Sequence, residues 1–473
     1  MLFVLIVLPL MMAGLMFILP SKRARISLLV LTALFHLSCV VCFWKIAPQT
    51  QWHGFLSLDV LGLLILSIIS VLFVVVSFYL IAYLKGEENR STRFFIACLL
   101  VFLSAMTLVT VSRHLGLLWI AIEATTLFSA ILINFHRTPR GIEATWKFLL
   151  ICSVGIAMAL LGTLFLAVAA TNIKSLLLED LLSNAPALIE SWLKLSVIFL
   201  LIGYGTKMGL VPMHSWKPDT YGEAPGPVGA LMSGALTSCA FLAILRVGQI
   251  CHQADQMAFF QSITLLLGML SLFVASVFIL GQTDFKRMLG YSSIEHMGIL
   301  VLGVGLGGAG FYGSLYHMLN NAFAKGLMFL VAGNLYRYYR NSKAHHIQGV
   351  LHSYPQTGIL LLVGFLCVTG FPPFGTFFSE LLILNAAVTG KHYIVAFLYV
   401  LFLGIIFIGM SKIVLKMAFG EPQDKPADDQ YRESISMVVP LVILGLIGLL
   451  LGIFIPSYLS EVLQRASGFL GGQ

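Results

Sequence analysis

The sequence predicts an all-α polytopic membrane protein of about 14 transmembrane helices, with two inverted five-helix repeats and broken helices 7 and 12. Three observations predict it. Of the 473 residues, 59% are hydrophobic and only 10% charged, and the mean hydropathy is +0.96; a soluble domain carries roughly 25% charged residues. Apolar runs of about 20 residues, the length that crosses a bilayer, recur along the whole chain. Two of these runs are interrupted by proline, at Val211-Pro212 and at Pro372-Pro373. A broken helix at membrane depth is tolerated only where protein or water lines it.

Taken in order, residues 1–93 hold three spans, at about 2–20, 26–45 and 58–84. The first run is followed by Ser21-Lys22-Arg23-Ala24-Arg25 and lacks a small-residue cleavage site before it, so it reads as a retained span and not as a signal peptide. Residues 94–249 form the first repeat, with spans at about 94–112, 115–135, 143–170, 195–221 and 227–249. Residues 258–418 form the second, at about 258–281, 288–306, 309–335, 357–389 and 393–418. A last span lies at about 435–456. The breaks fall in the fourth span of each five, and five spans apart they cross in opposite directions, the mark of inverted repeats.

Loop charges orient the chain. About 18 of the 28 Lys+Arg, among them Lys22, Arg23, Arg25, Lys85, Arg90, Arg137, Arg140, Lys217, Lys286, Lys425 and Arg432, fall on one side and about seven, including Arg113 and Arg246, on the other. The richer side is expected to be cytoplasmic, which places both termini on the non-cytoplasmic side. The formal net charge of +8 reflects these loops; no basic stripe supports nucleic-acid binding. The loop with Asp424, Lys425, Asp428 and Asp429 reads as a solvated face.

No cofactor is expected in this chain. Cys39 and Cys42 have C-x-x-C spacing but lie in an apolar helix with no second pair, whereas a zinc or iron–sulfur site takes about four ligands. His345-His346 has no carboxylate or thiol partner nearby in sequence, so no metal site is assigned. A Gly-rich phosphate loop and a dinucleotide fingerprint are both missing.

What remains is a set of ionisable residues inside spans: Glu123, Lys147, Lys207, Glu295, Lys325 and Glu380. A charge within the bilayer is by default a functional-site hypothesis. Burial drives lysine and glutamate toward proton exchange near neutral pH, and a neighbouring opposite charge reverses that shift. A Glu–Lys pair of changing separation is therefore a switch. Glu123 and Lys207 are the candidate pair, with a static buried ion pair as the alternative. Lys325, mid-span, is the candidate relay of the second half, and Glu380, just past the second break, the carboxylate toward the far side. His214 and His296 are candidates to bridge lysines through water, since imidazole titrates nearest neutrality. Glu295 is an entry group or an interface carboxylate. Lys147 is either a relay or the partner of Glu143 at i,i+4. Under the repeat, Glu123 corresponds to Glu295, Lys147 to Lys325 and Lys207 to Glu380.

Three ordered stretches carry a family resemblance. Residues 207–219 (Lys207, Pro212, His214, Trp216, Pro218, Asp219), with Ala224-Pro225 and Leu231-Met232-Ser233-Gly234 after them, resemble the span 7–8 signature of the antiporter-like proton-translocating subunits. Residues 282–298, containing Ser292-Ser293-Ile294-Glu295-His296, are similar to the second signature, and Phe371–Glu380 to the span 12 break. That family includes complex I subunits L, M and N, subunits A and D of multisubunit sodium/proton antiporters, and hydrogenase-4 component F, which the Glu295-His296 variant resembles most. The chain ends soon after span 14, without the long lateral helix of the largest members. The resemblance implies that Glu123 pairs with Lys207 and that a lysine-and-histidine axis leads through Lys325 to Glu380. A lysine common on span 8 has its matching place at Ser238, beside Cys239, and a histidine common on span 11 at Asn321.

The expected function is thus proton translocation, or proton/sodium exchange, by a membrane subunit of a redox-driven complex in a prokaryotic plasma membrane. The complex is of the membrane-bound hydrogenase, formate hydrogenlyase or complex I kind. Partners are other membrane subunits and a peripheral redox arm, and iron–sulfur, nickel-iron or flavin centres are expected only in those partners. The alternatives are a cation/proton antiporter module without a redox arm and a structural subunit that has lost conduction.

Overall fold

The computed structural model describes residues 1–85, 89–421 and 433–468, with residues 89–91 described by backbone alone. The predicted loop charges Lys425 and Arg432, the acidic residues Asp424, Asp428 and Asp429, and the side chain of Arg90 lie outside the described residues. Among the described residues the fold is all helix, with only isolated β-bridges. Each of the 14 predicted apolar stretches is occupied by helix; those holding Pro212 and Pro372-Pro373 are broken, whereas Pro9 and Pro440 lie inside continuous helices.

The helices begin where capping chemistry allows. α1 spans Leu2–Ile18 and α2 Lys22–Phe43, with Ser21 as N-cap accepting from the Ala24 amide. Asp59 caps α3 (Val60–Tyr83), accepting from Gly62. α4 is Asn89–Val111, and α5 (Leu115–Ile133) follows the cap His114. Thr138 caps α6 (Pro139–Ala169), whose first residue is proline, the position where a missing N–H costs nothing. After the short α7 (Leu178–Ser183) comes α8 (Glu190–Met208), which stops at the break; α9 (Trp216–Glu223) resumes beyond it. α10 (Gly226–Leu231) runs through one π turn, Met232–Leu236, into α11 (Thr237–Gln253). α12 (Met257–Ile279), α13 (Phe285–Leu306, capped by Asp284) and α14 (Gly308–Tyr339) follow. α15 (Val350–Ser353) and α16 (Pro355–Val368) lead to the second break, and α17 (Gly375–Thr389), α18 (Tyr393–Phe419), α19 (Ile435–Ile453) and α20 (Ser457–Gly468) complete the chain.

Ten helices among the described residues are long and apolar enough to cross a membrane, α10 and α11 counting as one. α8 and α14, which carry Lys207 and Lys325, are more polar than that set, and α1, α16 and α17 are apolar but shorter. α3, α4, α10–α11, α13 and α14 are the most enclosed helices, and the polar side chains described below sit among them. Close backbone approach holds this centre together, as it does where no hydrophobic drive exists between helices in lipid. A Cβ at Gly226 of α10 would lie 2.6 Å from the Gly333 Cα of α14.

Several lysine and arginine assignments from the loop count change, Arg25 among them, buried in the first turn of α2. Lys217, Lys286 and Arg246 lie within helices and are buried. α11 extends to Gln253, so Arg246 turns inward and grips Asp59 through Nη1–Oδ2 at 2.5 Å and Nη2–Oδ1 at 2.6 Å, with Arg113 at 3.4 Å. This two-pronged pair ties α11 to the start of α3. Removing one member of a buried pair typically costs about 3–5 kcal/mol, because its partner is left uncompensated. Arg246→Ala is therefore expected to lower the thermal midpoint of the detergent-solubilised protein; an unchanged midpoint would refute the assignment of this pair as a structural clamp.

Candidate functional site: a buried chain of proton-exchanging groups

The first break is built by its own sequence. Gly209 takes the left-handed conformation (φ 86°) that ends α8, and its amide bonds Gly205 O and Thr206 O. The orphan carbonyls of the helix end are met by side chains from beyond the break: Trp216 Nε1 donates to Thr206 O at 3.0 Å and Lys217 Nζ to Met208 O at 2.7 Å. The second break repeats the device. Gly370 (φ 61°) follows α16, the Phe371 amide bonds Leu366 O at 3.0 Å, and Thr376 Oγ1 donates to Cys367 O at 2.5 Å. The Val211–Pro212 and Pro372–Pro373 bonds are both cis.

Against the first break sits Lys207, 1% exposed. Its Nζ donates to Thr126 Oγ1 of α5 at 2.8 Å and stands 4.9 Å from the Phe148 ring centroid of α6. Glu123 lies one turn before Thr126. It is half-buried, within the field of Lys207 and in contact with the Thr126 hydroxyl, and its Oε2 is buried without a hydrogen-bond partner. The two charges thus face each other across Thr126 and do not form a direct ion pair. Cys152 of α6 completes the wall and feels both Lys207 and Lys217.

The second half carries two hydrogen-bonded strings. Lys325 of α14, fully buried, donates to Ser292 Oγ at 2.6 Å, and Ser292 passes its hydroxyl hydrogen to Glu295 Oε2 at 3.0 Å. Beside it, His296 Nδ1 meets His317 Nε2 at 2.9 Å, and His317 Nδ1 meets Ser379 Oγ of α17 at 2.9 Å. The second string has two consistent directions. In one, Ser379 donates to Thr376 O (2.8 Å), His317 donates to Ser379 and His296 donates to His317. In the other, Ser379 donates to His317 and His317 to His296, whose far nitrogen lies near the Val368 backbone without a hydrogen-bond partner. Passing a proton converts one into the other. Glu380 lies at its end: ligand atoms of His296, His317 and Glu380 are all within 4.8 Å of one another. The Glu380 carboxylate fills the space that a side chain at Gly370 would need.

The sequence-derived candidates therefore divide. Glu123 and Lys207 meet at Thr126; Lys325, Glu295, His296 and Glu380 gather at α13, α14 and α17. Lys147 does not join them. Its side chain is 45% exposed and pairs with Glu143 at 2.7 Å and Asp219 at 2.9 Å, and Asp219 also binds Arg287 at 2.7 Å. The suggested Lys147–Lys325 correspondence thus sets a surface lysine against a buried one. His214 is half-buried and turns to its own break, Nδ1 to Pro212 O at 3.1 Å, and not to a lysine.

Two residues escaped the sequence reading. His317 of α14 shares a stripe with Asn321 and Lys325 at i, i+4 and i+8, a spacing visible in the sequence. Lys217, expected among the loop charges, is wholly buried. Its i+4 neighbour Tyr221 and i+7 neighbour Ala224 are apolar and buried too, the signal that its face turns inward.

Known proteins resemble this chain in sequence and in fold. A family profile described as "NADH:quinone oxidoreductase/Mrp antiporter, TM" matches residues 112–406. The chain is 34% identical over 391 residues to the hydrogenase-4 component F homolog of Methylacidiphilum infernorum (isolate V4), covering 80% of each chain. It is 30% identical over 405 residues to NADH-quinone oxidoreductase subunit N of Desulforudis audaxviator (strain MP104C), covering 81% of this chain and 79% of that one. In fold it is similar to a chain of the membrane-bound sulfane sulfur reductase, an archaeal respiratory membrane complex, with a TM-score of 0.89 at 20% identity over 100% of this chain and 98% of the other.

Proposed function

The chain belongs to the NADH:quinone oxidoreductase/Mrp antiporter membrane family, and from that premise we propose that it is a proton-translocating subunit of a redox-driven complex of the membrane-bound hydrogenase or complex I-like kind. The observation that carries this reading is the pair of buried charge sites, Lys207–Thr126 with Glu123 and Lys325–Ser292–Glu295, the second flanked by a histidine string whose direction is reversible. Isolated charges inside a membrane are costly and are kept along ion or proton paths. A path of lysines, carboxylates, imidazoles and hydroxyls suits a proton, which hops between such groups, better than it suits a hydrated metal cation.

In this reading the chain crosses the membrane about 14 times, residues 94–249 and 258–418 are inverted repeats, and both termini face away from the cytoplasm of a prokaryotic cell. Electron transfer takes place in a peripheral arm, whose iron–sulfur, nickel-iron or flavin centres this chain does not hold, and other membrane subunits join the two. The test is purification of the tagged chain from its native membrane, followed by reconstitution into liposomes. Redox subunits are expected to co-purify, and hydrogen, formate or NADH oxidation to acidify or alkalinise the lumen. Recovery of small membrane subunits alone, with sodium-driven proton exchange, would replace this reading by an antiporter. Absence of proton movement under either drive would end both.

A further inference from the structure

We propose that Lys217 is the proton-carrying group that joins the two halves of this path, taking the part of the span 8 lysine that is absent at Ser238. The inference rests on the reading of the chain as a proton-conducting subunit.

Lys217 is 0% exposed and, among the described residues, has no carboxylate within ion-pair reach. Its ammonium has three hydrogens to place. Two acceptors face it, Met208 O at 2.7 Å and Ser293 O at 3.3 Å, with the Tyr221 ring centroid 5.8 Å away. A buried cation with no counter-charge is expensive to hold, so the residue type needs a reason.

Position supplies one. Met208 is the chain neighbour of Lys207, and Ser293 is the chain neighbour of Ser292, which joins Lys325 to Glu295. Lys217 touches both, and it also lies in the field of Lys325. Its stem lies across Gly209, with Cε and Nζ each 3.0 Å from where a Cβ would stand, so the unbranched break leaves the ammonium room to swing. Ser238 does not compete for this role: its hydroxyl is spent on Gly234 O of its own helix at 2.6 Å.

The alternative is a capping role. A cation at a helix C-terminus is favoured by the helix dipole and closes orphan carbonyls. Any fixed donor serves for that, including the guanidinium of arginine, which does not deprotonate in proteins. Lysine differs in being able to give its proton up. In the proposed step neutral Lys217 takes a proton from the Lys207 ammonium, then yields it to neutral Lys325. One positive charge advances, and only N–H bonds are broken and remade.

The test compares Lys217→Gln, Lys217→Arg and Lys207→Ala in the whole complex, reconstituted into liposomes, with assembly read on native gels and proton movement by a pH-sensitive dye. Both Lys217 variants are expected to assemble and to move protons at least tenfold more slowly, since each keeps donors for the two carbonyls but neither carries a proton onward. Wild-type transport in either Lys217 variant, beside loss in Lys207→Ala, would overturn the relay and leave the function intact. Wild-type transport in all three would show that the complex moves protons without these lysines, and would overturn the relay and this chain's part in conduction together. Should the glutamine variant fail to assemble, the arginine variant decides alone, because a capping role predicts that arginine restores transport.

Discussion

Lys207→Ala is expected to lower proton movement by roughly 100-fold, the loss typical of removing one positioned proton-transfer group, while the complex still assembles and its electron-transfer arm still turns over. The ammonium faces groups that suit a charge: the Thr126 hydroxyl at 2.8 Å, the Phe148 ring at 4.9 Å and the carboxylate of Glu123 beyond Thr126. Alanine removes the proton carrier and leaves those groups in place, so the lesion falls on conduction more than on folding. Glu123→Gln tests the same pair from its other side. Glutamine keeps the shape and the contact with Thr126 but deletes the negative charge that favours the Lys207 ammonium, and the partnerless Oε2 becomes part of a neutral amide. Its expected effect is in the same direction and about tenfold or more. Lys147→Ala supplies the contrast, because its ion pairs with Glu143 and Asp219 are half-exposed and surface pairs contribute little. Dye-quench measurements on reconstituted complexes would read all three; normal transport in both Lys207→Ala and Glu123→Gln would remove the first half of the path.

How far this was legible in the sequence depends on which physical signal each residue leaves. Charges within apolar runs stand out against hydrocarbon, so Glu123, Lys207, Lys325 and Glu380 could be named from composition alone, and the prolines at 212 and 372–373 exposed the breaks. The connections between these groups could not be named. Serines and threonines are common in membrane helices and mostly return their hydroxyls to their own backbone, as Thr125 does to Ile122 and Ser129 to Thr125. Nothing local distinguishes those from Thr126, Ser292 and Ser379, whose hydroxyl oxygens also meet a side chain of a neighbouring helix. Lys217 was lost for a different reason. A break resets the helix register, so the face of α9 is not the continuation of α8, and a lysine beyond a proline reads as a loop charge until the chain folds back. Lys147 erred the other way. α6 begins at Pro139 and is 31 residues long, more than a bilayer needs, so a lysine inside the helix still reaches the surface.

His317→Gln should slow proton movement by about tenfold or more, although glutamine is nearly as good as histidine at filling the site. The argument turns on what a ring with two nitrogens does that an amide does not. His317 accepts on one nitrogen while it donates from the other, and its two tautomers match the two directions of the string from Ser379 to His296. Taking up a proton at one nitrogen and releasing one at the other reverses that direction without moving a heavy atom. A glutamine side chain has its donor and acceptor fixed on different atoms, so it holds one direction and does not exchange them by proton transfer. His317 is wholly buried and its ring stacks on His296 with centroids 5.1 Å apart, so His317→Ala would confuse the result with a cavity, whereas glutamine retains most of the volume. The same substitution at half-exposed His214, which bonds only its own break through Pro212 O, is expected to leave transport within about twofold, because it lies outside the string. Reconstituted complexes with matched assembly would separate the two. A His317→Gln complex that pumps at the wild-type rate would show that protons reach Glu380 by another route.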